Sequence, residues 1–294
     1  MGTIEDTPTK QVSRVRSALV FIKKNREATV GTVIVALFML TALVAEIANL
    51  LNITITPYGP LKQNTGPAYA PPSLAHIFGT DQFGRDVFSR IIIATPNDVS
   101  IGLVVVGVAL IIGLVIGSVA AFKGGLLDEV LMRFTDVIFA LPVLVIAMVI
   151  AVALGAGVTN MMVALLIIWW PSYARLARGE ALKIFHQNYI EAARLSGAGT
   201  WKIIVKHVIP NTFVTMLVYA TLDIGTVILV YAGLSYLGLS VRPPNPDWGE
   251  MVSFYQDYII TAPWLPILPG FVIALGVVGF SLLGDGIRDA LEAR

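Results

Sequence analysis

The 294-residue chain has no cysteine, which excludes disulfides, thiol catalysis and cysteine-ligated zinc and leaves the compartment open. Charge is scarce too: Asp, Glu, Lys and Arg supply 13% of the residues against 56% hydrophobic, and the mean hydropathy is +0.79. A soluble domain carries roughly a quarter charged residues, so water is the wrong solvent for most of this surface. The net charge is +1, and no basic face is left over to neutralise phosphates, which argues against a nucleic-acid partner. There is no Gly-x-x-x-x-Gly-Lys-Ser/Thr run and no Gly-Lys pair, hence no cradle for ATP. His-Glu-x-x-His and Gly-x-Ser-x-Gly are missing as well. His186 and His207 lack ligand-spaced partners, so no metal site is read.

What the chain does have is long apolar runs. A spanning helix needs about 20 mostly apolar residues, and six segments qualify. They are Val30–Leu51, Val99–Phe122 between Asp98 and Lys123, two halves of Val137–Ala174, Thr212–Ser240 and Trp264–Gly284. The stretch from Val137 to Ala174 is 38 residues without a charge, too long for one span, and Gly155–Asn160 breaks it. The expectation is an all-α, polytopic membrane protein with six transmembrane helices. It divides into a tail (1–29), a first span (30–51), a loop (52–98) and a core (99–294) holding a polar segment (175–211). No small-x-small cleavage site is clearly placed after the first run, which favours an anchor or ordinary span over a removed signal peptide.

Lysine and arginine set the expected orientation. With the N-terminus in the cytoplasm, the inner side receives sixteen: six in the tail, Lys123 and Arg133, six from Arg175 to Lys206, and Arg288 and Arg294. The outer side receives four, Lys62, Arg85, Arg90 and Arg242. The positive-inside rule therefore predicts both termini in the cytoplasm. The loops 52–98 and 241–263 then lie outside, and Pro243-Pro244-Asn245-Pro246-Asp247-Trp248 makes the second stiff. A stiff loop has little freedom to lose when a partner docks; the plainer reading is that prolines cap span ends.

The polar segment 175–211 carries the strongest signal. Tyr189-Ile190-Glu191-Ala192-Ala193-Arg194 is helix-forming, Glu191 is placed early where a carboxylate suits the dipole, and Ala192 and Ala193 form a smooth knob. Gly197 and Gly199 permit a turn. Trp201–Val208 predicts a second amphipathic helix stopped by Ile209-Pro210. Taken alone, Glu-Ala-Ala is an ordinary helix-turn-helix against a membrane. With Gly197 and Ile209-Pro210 at their spacing, the segment resembles the coupling loop of the membrane subunits of ABC importers.

Further motifs narrow the resemblance. Gly79-Thr80-Asp81 to Gly84-Arg85-Asp86, Leu234–Leu239, the Pro-rich run ending at Trp248-Gly249, and Leu283-Gly284-Asp285-Gly286 to Leu291 are similar to the second permease of dipeptide/oligopeptide (peptide/opine/nickel) importers. They cover about His76 to the C-terminus. The resemblance implies a type I importer permease with no enzymatic activity and no cofactor of its own. ATP and Mg would be bound by two separate ABC ATPase subunits. It also implies a second homologous permease, an extracytoplasmic substrate-binding protein and a cell-membrane location. Glu191, Ala192, Ala193, Arg194, Gly197, Ile209 and Pro210 would form the foot that couples to the ATPase. Cargo would be peptides, nickel chelates or oligosaccharides.

Asp81, Arg85, Asp86, Arg90 and Trp248 are expected to form an outer gate or to contact the binding protein; the alternative for the charges is a solvated ion-pair cluster that stiffens the loop. Asp285 and Arg288 divide the same way between function and stiffening. Where the family reads Gly-Ala-Arg after Ile93, this chain has Ala94-Thr95-Pro96-Asn97-Asp98. Asp223 lies deep in the fifth span, where an ionisable group is costly unless it meets water or a partner; it either lines the pathway or bonds a neighbouring helix. Gly113 and Gly117 make a small-x-x-x-small face for close packing. The rival function is a self-sufficient secondary transporter or channel, which would show broken helices and an internal repeat; only Asp223 fits it.

Overall fold

The computed structural model describes residues 25–241 and 243–292. Of the charges that set the expected orientation, Lys10, Arg14, Arg16, Lys23, Lys24, Arg242 and Arg294 lie outside the described residues. The described chain is helical throughout apart from loops and one isolated bridge between Thr80 and Asp86.

Helix α1 (Arg26–Leu50) begins where the Asn25 side chain accepts the amides of Glu27 and Ala28, satisfying donors that a helix start leaves free. Helix α2 (Val87–Lys123) is 37 residues, about 55 Å at 1.5 Å per residue and well beyond the ~30 Å of a bilayer core. The helix starts twelve residues ahead of Val99, where the span is expected to begin. Asp86 caps it through the Ser89 amide, and the extra turns bury Val87, Ile91 and Ala94 against Trp248 and Tyr255. Pro96 and Asp98 therefore lie inside the helix, and Asp98 is buried with neither carboxylate oxygen hydrogen-bonded.

The third expected span is bent. Helices α3 (Gly125–Phe139) and α4 (Val143–Leu154) meet at 89°, because Pro142 cannot donate a helical hydrogen bond and pushes Leu141 out of helical geometry. The expected break at Gly155–Asn160 is present, and the Asn160 amide closes the end of α4 on the Leu154 and Gly155 carbonyls. Helix α5 (Val158–Phe185) follows, then α6 (Asn188–Leu195), α7 (Thr200–Ile203), a π-helical segment (Ile204–Val208) and α8 (Ile209–Tyr236). The chain closes with α9 (Trp248–Tyr255), a 3₁₀ turn (Gln256–Tyr258) and α10 (Trp264–Glu292).

Among the described residues, four helices are long and apolar enough to cross a membrane, α1, α2, α10 and the run from Thr200 to Tyr236, with a fifth if the bent α3–α4 pair counts as one span. Helix α5 has the length, but Ser172, Tyr173, Arg175 and Arg178 dilute its second half. Helix α2 is the spine, packed along α5 and α8, while α10 bridges α8 and α1. Helices α2 and α5 press together at Gly113 and Gly117: a Cβ there would come within 2.3 Å of Tyr173 Cβ and 2.2 Å of the Ala174 carbonyl oxygen. The small-residue face thus serves packing within the chain. The central core runs through Ile101, Val105, Met161, Leu165, Met216 and Tyr231.

Candidate functional site

Three places carry the residues singled out from sequence: a foot at one end, a cap at the other and a recess between them.

The foot is α6, α7 and the start of α8. Ile190, Ile203, Ile204 and Val208 pack with Ala181 and Phe185 into a small core of their own, so the two short helices are held by burial rather than by their length. Phe185 also meets Phe122 edge-on at 5.2 Å, and the Arg194 guanidinium lies 5.8 Å over Phe122. The foot is thereby seated on the last turn of α2. Glu191 stands in the first turn of α6. The Ser196 hydroxyl and amide return to the Ala192 carbonyl, and the Ala198 amide reaches the Ala193 carbonyl at 3.0 Å. That closure needs Gly197 at φ +80° with open space around it, so the backbone angle, not crowding, calls for glycine. Gly199 has an ordinary φ of −65° and no such role.

Pro210 corrects the expected stop. It opens α8, and the helix from Thr200 to Tyr236 runs through it. Widening to π geometry over Ile204–Val208 lets Ile209 donate to the Ile204 carbonyl five residues back, which makes room for the proline ring. Ile209 is half-buried between the foot and the central core, and Pro210 is exposed. The foot surface is apolar where it faces out: Leu195 is 90% and Trp201 64% exposed, with Tyr189 and Val205 also outward beside Glu191, Ala192 and Arg194. Leu195 and Tyr189 were not legible as surface from the motif; their signal is large apolar residues within a polar segment.

The cap holds Asp81, Arg85, Asp86, Arg90 and Trp248, and all five are buried. They are not a solvated cluster. The Arg85 Nε donates to Asp81 Oδ2 at 2.6 Å, and the Tyr255 hydroxyl donates to the same oxygen at 3.1 Å. Asp81 Oδ1 accepts the amides of Phe83 and Arg85. Asp86 bonds His76 Nδ1 at 2.9 Å and the Ser89 hydroxyl. Asp86 and Arg90, expected to share a face, have different partners. Arg90 donates to the Pro60 and Pro244 carbonyls and lies 4.0 Å from Glu250. Trp248 donates its indole N–H to the Ile91 carbonyl. Buried in this way, the five hold the cap together.

Sequence reasoning missed Asp247, Glu250, Tyr231 and Tyr255. Asp247 caps α9 and accepts from the Tyr231 and Ser235 hydroxyls. Burial pushes the Glu250 carboxyl up to about 7, against the pull of Arg90. Asp285 and Arg288 are exposed near the end of α10.

In the recess, Asp223 Oδ2 accepts from Trp169 Nε1 at 2.6 Å and from the Tyr173 hydroxyl at 3.0 Å. It bonds α5, the neighbouring-helix role, and it also lines a cavity of about 380 Å³.

Residues 113–294 match the family described as "Binding-protein-dependent transport system inner membrane component". The probable D,D-dipeptide transport system permease protein of Escherichia coli K12 is 37% identical over 98% of this chain and 94% of its own length. The dipeptide transport system permease protein of Alkalihalophilus pseudofirmus is 37% identical over 96% of the chain and 91% of its own length. The oligopeptide transport system permease protein of Bacillus subtilis is 34% identical over 100% of the chain and 94% of its own length.

Proposed function

The chain belongs to the family of binding-protein-dependent transport system inner membrane components, and on that premise we propose that it forms half of the translocation pathway of an ATP-driven peptide importer. The other half is a homologous permease, cargo arrives on an extracytoplasmic binding protein, and two separate ATPase subunits hold ATP and Mg. Peptide cargo is supported by the dipeptide and oligopeptide systems to which the relatives belong. The family is one of transport components rather than enzymes, and its dependence on a binding protein removes the ground for a self-sufficient transporter.

The observation that carries the coupling is the foot. Leu195 and Trp201 stand exposed beside Glu191 and Ala192, on a platform packed beneath. Apolar side chains of that size, so exposed and so well supported, suit a partner's cleft. The ATPase subunit takes that place. Closure of the ATPase pair displaces the foot, and the spans change between two packed arrangements. The foot end then faces the cytoplasm together with both termini, and six spans cross the bilayer with α5 as the fourth.

Mild-detergent purification of the tagged chain from its native membrane, with mass spectrometry of what accompanies it, tests this. Two ATPase chains and a sister permease are expected. A chain that purifies alone and still moves solute after reconstitution would overturn the proposal.

A further inference from the structure

Asp223 is a carboxylate in the middle of a spanning helix, and its hydrogen-bond partners are both neutral. Both bonds fall on Oδ2, Oδ1 accepts none among the described residues, and no Lys or Arg there pairs with it. A charge at that depth is costly unless it meets water or a counter-charge. The surrounding cavity, formed between α5 and α8, is lined by the rings of Trp169, Tyr173 and Tyr219, the hydroxyls of Ser172 and Thr226, and the apolar Leu176 and Leu222.

Trp169 and Tyr173 orient Asp223, and with Tyr219 they line the cavity with aromatic rings, a residue type that attracts cations. A divalent metal would want several oxygen ligands, whereas the recess offers one carboxylate, a setting for a single positive charge with hydrogens to donate. The volume of about 380 Å³ is near the lower end of small-ligand sites, room for one end of a peptide rather than a long one. We propose that the recess is a passing site for the protonated terminal amine of the cargo, with Asp223 as its counter-charge. The inference rests on the peptide-import reading and adds what part of the cargo this chain recognises.

The test uses the full complex reconstituted with its binding protein, and compares uptake of a short peptide having a free amine with uptake of its N-acetylated form. The same binding protein serves every reaction, so its own preference divides out of the comparison between variants. Asp223→Asn keeps an acceptor for Trp169 and Tyr173 and should lower the free-to-acetylated uptake ratio about tenfold, while Asp223→Glu should keep the wild-type ratio. An unchanged ratio in Asp223→Asn, or an equal loss for both peptides, would assign Asp223 to packing and overturn the passing site alone. Absence of ATP-dependent uptake of either peptide by the wild-type complex would instead overturn the import reading, and the passing site with it.

Discussion

The Ala193 carbonyl accepts the Ala198 amide at 3.0 Å, and the chain between them turns through Gly197 at φ +80°. An L-residue in left-handed geometry costs about 1–2 kcal/mol, which exceeds what so small a loop can absorb without changing shape. Gly197→Asp should therefore leave insertion normal and reduce ATP-driven uptake at least about tenfold. Glu191→Arg, which reverses a charge in the first turn of α6, should do the same. Wild-type uptake by either variant in reconstituted vesicles would remove the foot from the coupling path.

Leu195 and Trp201 should act on assembly rather than on insertion. Burying one large apolar side chain is worth about 1.5–3 kcal/mol. Replacing either by Ser or Ala should weaken retention of the ATPase subunits roughly tenfold or more. Quantitative co-purification against a salt and detergent series checks this. Equal recovery would place the contact elsewhere.

Glu250 makes the cap sensitive to pH. Its carboxyl sits at about 7, raised from an ordinary 4.5 mainly by burial. A raised pKa means the folded cap holds a proton that the unfolded chain releases. The stabilisation is thus complete below about pH 4.5, shrinks as pH rises, and is gone above about 7. The full span corresponds to about 3 kcal/mol at most. Hydrogen-exchange protection in residues 247–258, taken relative to the intrinsic base-catalysed rate at each pH, should fall between pH 5 and 8, and Glu250→Gln should flatten that profile.

Asp81 and Arg85 should be far less tolerant. Removing one member of a buried, hydrogen-bonded ion pair leaves the other charge stranded, typically at about 3–5 kcal/mol. Asp81→Ala or Arg85→Ala should lower the thermal stability of the solubilised chain markedly. Full stability in both would mean that the pair is expendable.

The all-α class and the foot were legible because each is written locally. Apolar runs report spans, and the Glu-Ala-Ala spacing reports a helix followed by a glycine turn. The prolines were not legible. Pro96 lies inside α2, Pro142 makes a corner within an uncharged run, and Pro210 begins a helix rather than ending one. Proline sterics are local, but neighbouring helices decide whether a freed carbonyl finds another donor. At the cap, the polar residues were found and their burial was not. Asp81 meets Tyr255 across 174 positions, and Arg90 meets Pro244 across 154. Nothing in a local window reports either contact.

Helix α2 begins in the cap, where Asp86 fixes its first turn, and ends beneath the foot, where Phe122 meets Phe185 and Arg194. The two ends are thus parts of one rod of about 55 Å. Pivoted where Gly113 lies close against Tyr173, about 39 Å from the cap end and about 15 Å from the foot end, a tilt of roughly 10° would carry the two ends about 7 Å and about 3 Å in opposite directions. Moved as one body about that contact, the rod would turn a push of a few ångströms at one end into an opposite displacement at the other, the geometry of a seesaw.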